Sequence, residues 1–205
     1  RSDAKQNNIF FFYQPVQYSV DYQVWPQGGG TVSPSKEVVE GDTLFKGSTP
    51  TEKPGYRFEG WYLDENCTTP VTAAEGTVNS TTNRLVPNKS KLEAMPKGNT
   101  FYAKFLPVLG NLTITRSHAS NEGKGDRVFV YRIKAAEDPS FELFVSIKGN
   151  GSVTIKDLFC FTYTIEQQNR WSWRYADTSQ TVKVTKDGNA EVTFADAPAK
   201  NKWLN

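Results

Sequence analysis

Along the first half of the chain the apolar residues come in short alternating runs. Tyr18, Val20, Tyr22 and Val24 alternate with Ser19, Asp21 and Gln23. A period of two predicts a half-buried strand, closed by Pro26 and Gly28-Gly29-Gly30. Short strands follow at Thr31-Val32-Ser33 and Val38-Val39, and a loop is punctuated by Gly41-Asp42, Gly47-Ser48 and Pro50. Residues 56–63 hold Tyr56, Phe58, Trp61 and Tyr62; Gly60 in their midst predicts a bulge or a close backbone approach. Trp61 and Tyr62 point to opposite faces, so at least one belongs to the core. Residues 64–100 are polar and irregular, with a loop tip at Asn79-Ser80-Thr81-Thr82-Asn83 and one helical turn over residues 89–95. Phe101, Ala103 and Phe105 mark a closing strand, and Pro107 and Gly110 bracket a boundary. At the start, residues 1–8 read as a polar lead-in. Ile9-Phe10-Phe11-Phe12-Tyr13 is either an edge strand of the first domain or the last strand of a preceding one.

The second half repeats the pattern more regularly. Strands are predicted at Leu112 and Ile114, over residues 128–133 with apolar residues on both faces, and at Phe141, Leu143, Val145 and Ile147. Gly149-Asn150-Gly151 then precedes Val153 and Ile155, which predicts a hairpin. Phe161, Tyr163 and Ile165 alternate, as do Trp171, Trp173 and Tyr175. Val182 and Val184, Asp187-Gly188, then Val192 and Phe194 predict a second hairpin. Seven or eight short strands with regular turns make a β-sandwich, and no stretch has helical periodicity. The fold class is therefore mainly β, in two domains over 17–107 and 108–205, after a lead-in over 1–16.

Composition adds little to this and excludes several functions. The 205 residues carry a net charge of +2 with no basic run, which argues against a nucleic-acid binder. Aromatic residues make up 13% of the chain, enough to build two small cores although only 37% of residues are hydrophobic. No run approaches the ~18 apolar residues of a membrane span. The start at Arg1-Ser2-Asp3 has no signal peptide, and the chain reads as a segment cut from something longer. Cys67 and Cys160 are too few for a disulfide framework or a zinc set, and they read as semi-buried thiols.

No catalytic constellation is visible. His118 lies in a polar loop without a nucleophile or an orienting partner in view. Asp64, Glu65 and Asn66 lack the spacing of a calcium loop and read as a polar turn, so no metal site and no cofactor are assigned. Trp171, Trp173 and Tyr175 share one strand face; core is the better home, a sugar-stacking platform the alternative. Trp171, Trp173 and Asn79 at its loop tip are the ligand-contact candidates.

Longer motifs carry two family resemblances. Gly28-Gly29-Gly30-Thr31-Val32, Pro54-Gly55-Tyr56-Arg57-Phe58-Glu59-Gly60-Trp61-Tyr62, Asp64-Glu65-Asn66-Cys67-Thr68 and Thr100-Phe101-Tyr102-Ala103-Lys104-Phe105 fall in the order of internalin-B-type (Listeria–Bacteroides) repeats. Residues 18–106 resemble such a repeat, which implies a small β-grasp-like unit. Residues 110–204 resemble a collagen-adhesin B-type domain of Gram-positive surface proteins. That likeness rests on residues 149–158, Thr162-Tyr163-Thr164-Ile165, Trp171-Ser172-Trp173-Arg174-Tyr175 and the tail from Val192. It implies an Ig-like or prealbumin-like sandwich. Many such domains form an internal isopeptide bond from a Lys, an Asn or Asp, and a carboxylic acid. The matching positions here are Arg116, Asp196 and Gln167, with Glu166 one residue early. Arginine stays protonated and cannot be the nucleophile, so no bond is expected, and an Arg116–Asp196 ion pair could replace it.

The functional expectation is a non-enzymatic stalk or spacer in a bacterial surface protein, cell-wall anchored through a region outside this segment. Its partners would be neighbouring repeats of the same polypeptide, with no nucleic acid and no membrane insertion by this segment. The alternative is an adhesin module that binds a host protein or glycan.

Overall fold

The computed structural model describes residues 16–94, 99–117, 127–168 and 178–195. The chain divides into two compact units. One holds the described residues through Thr51 together with Phe58–Phe105; the other holds Glu52–Arg57 and the residues from Leu106 onward.

The first unit is built on β1 (Gln17–Trp25), β2 (Gly30–Ser33), β3 (Lys36–Glu40), β4 (Thr49–Glu52), β5 (Tyr56–Tyr62), β6 (Gly76–Val78), β7 (Leu85–Pro87) and β8 (Thr100–Pro107), with a 3-10 turn at Lys89–Ala94. The main sheet has the order β3-β1-β8-β5, and β1 pairs parallel with β8. Two adjacent parallel strands at the centre, formed by the two ends of the unit, give the β-grasp-like layout. The 3-10 turn covers the stretch expected to hold one helical turn. The strands missed by sequence reading are β4, which pairs with β2, and the short pair β6 and β7, which fall in the stretch read as irregular.

The alternation in β1 buries Val20 and Tyr22, and that in β8 buries Phe101, Ala103 and Phe105. Trp61 completes the core, its ring edge-on to Tyr22 at 5.8 Å and to Phe58 at 6.0 Å. Each such side chain contributes about 1.5–3 kcal/mol by burial. Phe58 and Trp61 are three residues apart, and a regular strand would send them to opposite faces. Both rings enter one core, since Phe58 also meets Phe105 at 5.6 Å. The strand therefore changes face across Glu59-Gly60, as a bulge does. A close approach at Gly60 is not found, because a Cβ there would meet only the Tyr62 ring at 3.7 Å. The close approach lies at Gly30, where a Cβ would fall 2.3 Å from the Phe105 ring.

The second unit contains β9 (Leu109–Ser117), β10 (Val128–Ala135), β11 (Glu142–Lys148), β12 (Gly151–Phe159), β13 (Thr162–Gln167), β14 (Ser179–Lys183) and β15 (Asn189–Ala195). They form sheets β11-β10-β13-β14 and β12-β9-β15, which enclose Leu112, Ile114, Phe129, Tyr131, Ile133, Tyr163, Ile165 and Phe194. β9 and β15 run parallel. The runs at residues 9–13 and 171–175 lie outside the described residues.

β10 carries apolar residues on both faces, as expected: Phe129, Tyr131 and Ile133 point inward, and Val128, on the outer face, is 48% exposed. Two expectations are corrected here, since neither predicted hairpin forms. β11 pairs with β10 while β12 pairs with β9, so Gly149-Asn150-Gly151 carries the chain from one sheet to the other. The Arg116 guanidinium holds that crossover, donating through Nη1 to Gly149 O and Asn150 Oδ1 at 2.9 Å each. Likewise β14 pairs with β13 and β15 with β9. Asp187 N–H donates to Leu109 O, and Gly188 O accepts from Asn111 N–H. These bonds draw the Asp187-Gly188 turn to the opposite sheet.

Candidate functional site

The irregular stretch after β5 is ordered around a short hairpin. β6 and β7 pair with Thr77 opposite Val86 and Val78 opposite Leu85. The expected loop tip closes it: Asn79 N–H donates to Arg84 O at 2.9 Å, and Asn83 N–H donates to Asn79 O at 2.8 Å. Asn83 takes a left-handed φ of 56°, which Asn tolerates. Asn79 Oδ1 accepts from Thr81 N–H and Thr82 N–H at 2.9 Å each, an Asx turn that fixes the tip.

Three further contacts fasten the hairpin to the body of the unit. The buried Trp61 donates its indole N–H to Asn83 O at 2.8 Å. Ser48 and Leu85 exchange both backbone hydrogen bonds at 2.9 Å. Gly47, at φ +84°, lets Leu85 O approach to 2.2 Å of where a Cβ would stand. Gly47 is itself held by Glu37. That carboxylate accepts from Gly47 N–H at 2.9 Å, Lys46 N–H at 3.0 Å and the Tyr22 phenol at 2.7 Å.

Thr77 and Asn79 share one face of β6 and its extension, Arg84 and Val86 the same face opposite. With Thr49 and Thr82 they line an open concavity of about 530 Å³. Arg84 Nε donates to Thr49 Oγ1 at 3.2 Å. Of the three ligand-contact candidates, Asn79 is at this site, whereas Trp171 and Trp173 lie outside the described residues. Thr49, Thr77, Arg84 and Val86 were missed, because Thr49 is distant in sequence and strands of three residues are too short to show a period.

The isopeptide-related positions sit in the sandwich. Arg116 is 1% exposed, with its guanidinium carbon 3.5 Å from the centre of the Phe129 ring. Gln167 is also buried, and Thr178 Oγ1 donates to its Oε1 at 3.3 Å. Asp196 and His118 lie outside the described residues. Glu166, one residue earlier in the strand, is on the other face, paired with Arg132 through Nε at 2.8 Å. At the polar turn, Asp64 accepts from Thr68 N–H, Thr68 Oγ1 and Thr69 N–H. Burial acts to raise the pKa of Asp64, but these hydrogen bonds carry it below the ordinary carboxylate value. Among the described residues no three His, Cys, Asp or Glu side chains gather as a metal would need. Both cysteines are free, and Cys67 is buried and Cys160 half-buried. Burial pushes the Cys67 thiol up to about 11, which leaves it almost wholly protonated at neutral pH. No helix among the described residues is long and apolar enough to cross a membrane.

Residues 18–85 match the family model of the Listeria-Bacteroides repeat domain, and this stretch is such a repeat. No curated protein matches the chain. Among solved structures the chain is similar to the minor pilin GBS52 of Streptococcus agalactiae. Identity is 11% and the TM-score 0.39, over 92% of this chain and 98% of that one. A major pilin of Streptococcus pyogenes is matched at 11% identity and TM-score 0.38, over 79% and 73% of the two chains. The Bacillus anthracis TIE protein is matched at 9% identity and TM-score 0.39; 89% of this chain is covered, but it spans only 34% of that one.

Proposed function

We propose that this segment is a structural stalk or spacer of a bacterial surface protein, held at the cell wall by a longer polypeptide. The observation that carries the reading is the Listeria-Bacteroides repeat at 18–85, a repeat type of bacterial surface proteins, followed by a second β unit with its own core. β-modules in series, each with a private core, suit a spacer. The proposed partition is a repeat domain over 17–107 and a collagen-adhesin B-type sandwich over 108–205, with neighbouring repeats of the same polypeptide as partners. No catalytic set accompanies them among the described residues.

In the sandwich, Arg116, Gln167 and Asp196 are proposed as degenerate, unbonded isopeptide positions. An arginine cannot supply a neutral amine, and Gln167 cannot shuttle a proton. Antibodies raised against the segment should label intact, unpermeabilised cells of the source bacterium. Labelling that needs permeabilisation would overturn the surface assignment. A second reading, an adhesin module for a host protein or glycan, is favoured by the ordered concavity at the β6–β7 hairpin.

A further inference from the structure

We propose that the concavity lined by Thr49, Thr77, Asn79, Thr82, Arg84 and Val86 binds the carboxylate-bearing unit of an acidic sugar. The argument begins with Arg84. Its Nε is held by Thr49 Oγ1, so both terminal nitrogens remain for a bidentate contact. No carboxylate among the described residues forms an ion pair with it, whereas Arg132, Lys36 and Lys104 each have an acidic partner. A planar guanidinium presented in this way matches a carboxylate in geometry as well as charge.

The surrounding groups narrow the ligand further. Asn79 Oδ1 is occupied by Thr81 N–H and Thr82 N–H, so the amide offers only its Nδ2 donor outward. Thr77 adds a hydroxyl two residues away on the same face, and Val86 opposite it forms an apolar floor. The site therefore presents an excess of donors, plus hydroxyls that turn either way. Its complement is rich in oxygen acceptors and carries one negative charge: a carboxylate on a polyhydroxylated ring. An extended acidic peptide would add along a strand edge, whereas the lining here is a set of side chains on one face of the hairpin. The hairpin is braced by Trp61, Ser48 and Gly47, so the donors are preorganised and little ordering cost falls on binding. The volume lies within the range of small-ligand sites. The proposal stands apart from the stalk reading, since a spacer can carry a ligand site.

Two sources share this chemistry: a sialic acid cap of a host glycan and a uronic acid polymer. Titration of the isotope-labelled protein with sialyllactose, trigalacturonate, lactose and pentaglutamate, followed by backbone and Arg Nε–H NMR, separates them. We expect saturable shifts confined to residues around Thr77, Asn79 and Arg84 with one of the two acidic sugars, and none with lactose. Arg84→Gln should weaken binding roughly tenfold or more, through loss of a charge-assisted bidentate pair. Arg84→Lys should fall between the two, and Thr77→Val should weaken binding without altering the hairpin spectrum. The proposal is overturned if neither acidic sugar saturates by about 10 mM, if Arg84→Gln binds as well as the parent, or if pentaglutamate binds more tightly than both sugars.

Discussion

Glu37 joins β3, β1 and the Lys46-Gly47 loop through one carboxylate, and removing that junction has a calculable cost. It accepts three hydrogen bonds, from Tyr22 Oη, Lys46 N–H and Gly47 N–H. Hydrogen bonds to a charged group contribute about 1.5–3 kcal/mol each. Tyr22→Phe removes one and should cost about 2 kcal/mol. Glu37→Ala removes all three and leaves the hydroxyl of Tyr22, a residue only 2% exposed, without its acceptor. Its cost should reach about 3–4 kcal/mol, less than the sum because the Lys46 and Gly47 amides can turn to water. The two losses share a bond, so the double variant should fall short of additivity by about 1–2 kcal/mol. The assay is urea denaturation read from β1 amide signals by NMR, since two cores in one chain make a global probe ambiguous. The Gly47 amide should also exchange faster in Glu37→Ala. Additivity within about 0.5 kcal/mol would refute the coupling. The same junction predicts a pH dependence. Burial, then the Glu37 hydrogen bond and charge, hold the Tyr22 phenol well above its ordinary value. The folded value is the raised one. The contribution is therefore intact below pH ~10, where the unfolded phenol ionises, and declines as the pH rises beyond it. Tyr22→Phe should abolish that part of the decline.

Gly47→Ala forces a Cβ to 2.2 Å of Leu85 O at a φ of +84°; it should cost about 3 kcal/mol or more, seen in the same NMR denaturation, and a near-neutral result would refute the close approach. A thiol reagent at neutral pH should modify Cys160 in the native protein and Cys67 only on unfolding, because burial both shields Cys67 and raises its thiol to about 11; simultaneous modification would contradict that. The intact mass should equal the sequence mass, and loss of one water would show that an isopeptide bond forms after all.

Much of the fold was legible because its signals are local. Val20 and Tyr22, or Phe101, Ala103 and Phe105, declare their buried face by alternation alone. What escaped was decided at long range. Asn150-Gly151 and Asp187-Gly188 look like hairpin turns, since the neighbouring runs are the only sequence-level information. The choice of sheet is made by Arg116, 33 residues before Gly149, and by the backbone at Leu109 and Asn111. The candidate site was half legible for the same reason. Asn79 stands out at a loop tip, but Thr49 and Arg84 are 35 residues apart. β6 and β7, at three residues each, are too short to show a period.

The side-by-side placement of β9 and β15 has a mechanical consequence. They are the first and last described strands of the sandwich, parallel, with seven residue pairs in register from Asn189↔Asn111 to Ala195↔Ser117. Tension along the chain pulls β9 by its leading end and β15 by its trailing end. The two strands are thus dragged past each other along their length. The slanted, evenly spaced bonds of a parallel pair then resist together, in shear. An antiparallel pair tugged from one end would instead unzip bond by bond. Pulling with an atomic-force probe should break this unit in a single high-force step, and gradual low-force peeling would contradict the geometry. A unit entered through one strand and left through its parallel neighbour resists extension by its topology.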